Sequence, residues 1–166
     1  MRKLVLSLAA FVFLSGVAKA QDFIITEVNG NREFWVSEGV IRAAGYADIL
    51  GRIQGNSAVF HWEDSPDMVI SLATRGLYPF HRPANHTYIV DCRGDIFGIF
   101  RGTRVYIYSC FVGILWGDTL TIPRDEQDAL VFRIMHVNRL PSGYDRIHRI
   151  FVRFLALFLI FETEEI

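Results

Sequence analysis

After Lys19 this chain contains no lysine. Its 17 basic residues are arginine except for Lys3 and Lys19. With Arg2, Lys3 and Lys19 set aside in a leader, 14 arginines face 18 acidic residues, a net charge of −4. That balance does not support a basic footprint for nucleic acid or an anionic membrane, and no nucleic-acid partner is expected. The missing lysine has three readings. They are arginine-biased coding, a preference for guanidinium in bidentate and stacked contacts, and avoidance of the ubiquitin acceptor by a secreted toxin.

Catalytic signatures are missing as well. There is no Gly-x-Ser-x-Gly elbow to expose a nucleophilic serine, and no strand-to-helix glycine loop to cradle phosphate. The acids Glu63, Asp64 and Asp67, and then Asp125, Glu126 and Asp128, fall in turn-like segments where solvated carboxylates are ordinary. His81 and His86 match no standard zinc spacing. His136 and His148 read as satisfied surface side chains. No catalytic residue, metal site or cofactor is assigned. Long apolar runs are also lacking: the uncharged stretch Phe154 to Phe161 is far short of the ~20 residues a membrane span needs. Once its leader is removed, the chain is not expected to be an integral membrane protein.

The leader is itself legible. Met1-Arg2-Lys3 is a short basic start, Leu4 to Val17 is mostly apolar, and Ala18-Lys19-Ala20 places small residues at −3 and −1 of a cut before Gln21. This is the grammar of a cleaved secretory signal peptide over residues 1–20, so a secreted or periplasmic location is expected. The remaining 146 residues, 21–166, suit a single domain.

Aromatics are dense, with fourteen Phe, six Tyr and three Trp, and they favour strands or an apolar cavity. Short segments rich in Val, Ile and aromatics recur between turn residues. The candidates are Phe23–Val28, Glu33–Ser37, Val40–Ala44, Ala47–Ile53, Ser57–Trp62, Met68–Ala73, Thr87–Asp91, Ile96–Arg101, Arg104–Cys110, Thr119–Ile122 and Ala129–Val137. In Arg104–Ser109, Val105 and Ile107 face one way and Tyr106 and Tyr108 the other. The longest stretch without strand pattern, Thr74 to His86, reads as an ordered recognition loop. Pro141-Ser142-Gly143 is a stop, Asp145 can cap a helix, and a hydrophobic helix is expected from about 145 to 162. A buried terminal strand is the competing reading, because periodicity does not separate short apolar runs. The fold expected is mainly β: an antiparallel sheet closing toward a barrel or sandwich, with one hydrophobic C-terminal helix.

Two cysteines, Cys92 and Cys110, remain for an exported chain, which favours a disulfide. In a flat meander their strands would be separated by twice the ~4.8 Å strand spacing. That exceeds the ~7 Å a disulfide allows, so the expected bridge requires a strand to leave the sheet.

Tyr88-Ile89-Val90-Asp91-Cys92-Arg93-Gly94-Asp95-Ile96-Phe97-Gly98-Ile99 and the closing Phe154-Leu155-Ala156-Leu157-Phe158-Leu159-Ile160-Phe161 resemble pieces of the tubby C-terminal-like superfamily, which includes the phospholipid scramblases. The first is similar to that superfamily's repeated strand, Asp-x-x-Gly turn and strand. The second is similar to its central hydrophobic helix. The resemblance implies a twelve-stranded barrel around a C-terminal helix, and it carries over no functional residue.

The expected role is an exported, non-enzymatic binding or interaction protein. Its partner would be a lipid-like or apolar small molecule, or another protein. The candidate ligand-binding residues are Tyr78, Phe80, His81, His86, Tyr106, Tyr108 and Trp116. The alternative is a secreted hydrolase or toxin-type subunit using carboxylates and the His81/His86 loop.

Overall fold

A computed structural model describes residues 23–73, 86–124, 128–137 and 145–163. Twelve strands follow one another: β1 (Phe23–Glu27), β2 (Glu33–Ser37), β3 (Val40–Ala43), β4 (Gly51–Gln54), β5 (Ser57–Trp62), β6 (Ser65–Ala73), β7 (His86–Asp91), β8 (Ile96–Arg101), β9 (Arg104–Ile107), β10 (Cys110–Trp116), β11 (Thr119–Pro123) and β12 (Ala129–His136). Each strand pairs antiparallel with its sequence neighbours, and β1 pairs with β12 to close the barrel. The closing register sets Phe23 opposite His136 and Ile25 opposite Ile134. Closure of this kind removes every sheet edge.

The helix α1 (Asp145–Thr163) runs through the barrel. At ~1.5 Å per residue it is about 28 Å long. Barrel diameter grows with strand number, and about eight strands can be filled by their own side chains. Twelve leave a wider lumen, which a helix ~10 Å across can occupy. The composition of α1 follows from that position. Every residue from Phe154 to Ile160 is fully buried, as a helix that is apolar all round requires. Phe158 meets Phe34 and Phe60 edge-on, with ring centroids 5.3 and 5.6 Å away. Phe151 stacks on Phe23 at 5.3 Å where the helix begins, and Phe161 meets Trp62 and Phe97 where it ends. These contacts decide between helix and terminal strand in favour of the helix.

The strands alternate inward and outward with period two. Gly98 of β8 faces inward. A Cβ there would come within 2.8 Å of the Tyr106 carbonyl oxygen, 2.7 Å of Ile89 Cδ1 and 2.8 Å of Ile107 Cδ1. Glycine lets the wall pass close to its neighbours at this point. Between β1 and β2, Arg32 Nε donates to Glu27 Oε2 at 2.9 Å. That bond, with the guanidinium charge, holds the Glu27 carboxyl below its ordinary value.

Three expectations are corrected. The segment Arg104–Cys110 is not one strand. The chain turns at Tyr108-Ser109, and a further strand, β10, comes after the turn. His86 is the first residue of β7, paired with Arg101, and does not belong to a loop. Cys92 and Cys110 are free and exposed. Cys92 comes directly after β7 and Cys110 opens β10, so β8 and β9 lie between them. Three strand spacings amount to about 14 Å, and the meander prevails over the bridge.

Candidate functional site

The lumen is filled by α1, and open surface lies outside it. Outward positions on β7–β10 form a row across four strands: Tyr88 is opposite Ile99, Ile99 opposite Tyr106, and Tyr106 opposite Phe111. The rings of Tyr106 and Phe111 lie 5.8 Å apart. Beside the row is an open depression of about 560 Å3 with Tyr88, Phe97, Ile99, Arg101, Tyr106 and Tyr108 in its wall. The size falls within the ~300–1,000 Å3 usual for small-molecule sites.

Three local irregularities shape this corner. The β7–β8 register shifts between Ile89 and Val90, and the β9–β10 register shifts between Phe111 and Gly113. Bulges of this kind bend a strand and re-aim its side chains. The third is the β9–β10 turn, where Tyr108 and Ser109 both hold positive φ, 47° and 68°. A two-residue hairpin with both φ positive is a type I′ turn, which normally takes Asn-Gly. Left-handed backbone costs a non-glycine residue about 1–2 kcal/mol, so Tyr108 keeps its side chain there at a cost. Its backbone N–H donates to the Phe97 carbonyl at 2.7 Å, and the two rings lie 5.8 Å apart. The turn thereby lays the Tyr108 ring, 71% exposed, against the edge of the depression.

One charge stands in this apolar setting. The Arg101 guanidinium lies 5.3 Å from the Tyr106 ring centroid, within cation–π reach, and Arg101 also lines the depression. The site therefore offers apolar faces with a single cation at one margin.

The structure brings Tyr106 and Tyr108 of the candidate set together. His86 adjoins the site through its strand partner Arg101 and through Tyr88, whose ring centroid is 6.5 Å from its own. Trp116 is 74% exposed but stands at the opposite end of β10, outside the depression. Tyr78, Phe80 and His81 lie outside the described residues. To the candidate set the structure adds Tyr88, Phe97, Ile99 and Phe111. Alternation in β7 and β8 is a signal available for Tyr88 and Ile99, but strand pairing is needed to align them with Tyr106.

Elsewhere, His61 Nδ1 lies 2.8 Å from Asp67 Oδ1 in an exposed pair. Among the described residues no group of three metal-ligating side chains occurs, and no helix is long and apolar enough to cross a membrane. Comparison with family models, with curated proteins and with solved structures finds no match to this chain.

Proposed function

We propose that this chain is an exported, non-enzymatic binding protein that takes an amphipathic, fatty-acid-like ligand on the outer face of β7–β10. One observation carries the reading: an aromatic row beside an open depression, on a barrel whose own lumen is full. Ring faces suit an acyl or other apolar body, and Arg101 at the margin suits an anionic head. The strained Tyr108-Ser109 turn supports it further, because backbone strain is retained where the surroundings over-determine it and clusters at binding sites. The Met1–Ala20 leader supports export. The proposal extends to kinship with the tubby-like and scramblase superfamily at the level of fold. Its support is a barrel of twelve strands around a hydrophobic C-terminal helix.

A titration of the purified protein with a fluorescent fatty acid tests the site. Saturable binding is expected, weakened about tenfold or more by Tyr106→Ser, since an aromatic face contributes on the order of 1–2 kcal/mol. Arg101→Gln is expected to weaken the acid but not the corresponding alcohol. Absence of saturation, or affinity indifferent to both variants, overturns the assignment.

A further inference from the structure

Polar side chains gather where α1 begins, away from the outer row. A second cavity of about 260 Å3 opens there, with Phe100 and Val152 on one side and Asp118, His148, Arg149 and Arg153 on the other. Arg149 and Arg153 are one helical turn apart, so both guanidiniums project from one face of α1.

Arg153 is half-buried. Its Nη1 donates to Thr87 Oγ1 at 2.7 Å, and its guanidinium carbon lies 5.4 Å from the Phe100 ring centroid. Thr87 is the one buried polar residue among the described residues. Both partners of Arg153 are uncharged, and no carboxylate among the described residues pairs with it. Charges withdrawn from water are normally paired. Burial first, and then repulsion from Arg149, hold the Arg153 guanidinium below its ordinary value. The site disfavours a cation that no described carboxylate neutralises.

His148 adds a second irregularity. It is mostly buried, and its Nε2 lies 3.2 Å from Asp118 Oδ1. Its Nδ1 is buried with no hydrogen-bond partner among the described residues, a condition rare in native proteins. When Nε2–H donates to Asp118, Nδ1 is left as a buried acceptor. Among the described side chains Asp118 is the single carboxylate in the cavity wall, and it is already engaged with His148.

We infer that this mouth of the barrel is a binding site for a phosphate group, held between the Arg149 and Arg153 guanidiniums beside His148. Planar guanidiniums match phosphate oxygens in bidentate geometry, and a cavity below the usual small-molecule range suits a head group better than a whole lipid. The phosphate is either free or the terminal group of a larger molecule.

Calorimetric titration of the full protein with inorganic phosphate, at constant ionic strength, is the test. Saturable binding is expected, reduced about tenfold or more in Arg149→Gln. Arg149 is exposed, and circular dichroism of the Arg149→Gln variant checks that its fold is kept even where that of Arg153→Gln is not. Tyr106→Ser is expected to leave phosphate binding unchanged, which separates this site from the outer row. A second arm uses vesicles of phosphatidylcholine with and without phosphatidic acid. Arg149-dependent sedimentation with phosphatidic acid assigns a lipid phosphomonoester as the source, whereas phosphate binding without sedimentation assigns a free or soluble phosphate. No saturable binding of phosphate to the unaltered protein, or binding indifferent to Arg149→Gln, overturns the inference.

Discussion

The two faces of β7–β10 carry similar apolar side chains and meet opposite fates. Inward, Ile89, Phe100, Val105 and Ile107 are buried against α1 and its neighbours. Outward, Tyr88, Ile99 and Tyr106 are half-buried and Phe111 is exposed, a row of comparable apolar mass met by the Arg101 guanidinium and the His86 ring. Identical backbone supports both. The difference is that one face has a partner built into the same chain, and the other leaves its rings half-buried to exposed.

The largest expected effect lies on the inner side of that contrast. Phe158→Ala removes a fully buried ring that meets Phe34 and Phe60, and chemical denaturation is expected to show a loss of about 3–5 kcal/mol. Phe111→Ala on the outer row is expected to cost under about 1 kcal/mol. Equal losses for the two would mean that the outer row is core and that no free face exists.

A smaller effect is expected at Gly98, on the inner surface of the same wall. Gly98→Ala drives a methyl group toward the Tyr106 carbonyl oxygen and two isoleucine side chains. The expected loss is about 1–3 kcal/mol by the same measurement. An unchanged midpoint would show that the wall has slack, against the tight inner packing claimed for it.

The smallest effect belongs to the turn at the rim of the outer site. Ser109→Gly relieves positive φ at a residue that is not glycine. A gain of about 0.5 kcal/mol is expected after glycine's own entropy cost is subtracted. A loss instead would show that the Ser109 side chain holds the turn, and strain there would cease to support a binding role.

Much of the barrel is legible from alternation. Glu33–Ser37, Ser57–Trp62 and Ile96–Arg101 have the bounds their patterns suggest. The β7–β8 turn is also readable, since Asp91 Oδ1 accepts from the backbone of both Arg93 and Asp95 at 2.9 Å, with Gly94 at φ 90°. The strand β10 escapes the pattern because its turn is spelled Tyr-Ser, without the glycine or asparagine that marks left-handed backbone. The disulfide fails for a related reason. Its plausibility rests on compartment, whereas the distance between Cys92 and Cys110 depends on a strand boundary that the pattern hides. The site at the start of α1 reads in sequence as the ordinary polar face of a helix, and His148 as a satisfied surface group. Only the threading of α1 through the barrel turns that face inward onto Thr87 and Phe100.

By itself, then, the sequence determined the strand-forming segments and an apolar C-terminal segment, because these arise from periodicity and composition along the chain. Tertiary structure decided that the sheet closes into a barrel, that the helix fills its lumen, and which aromatic and arginine side chains become neighbours. Register between strands and the path of a helix through them are long-range pairings, and no local spacing encodes a long-range distance.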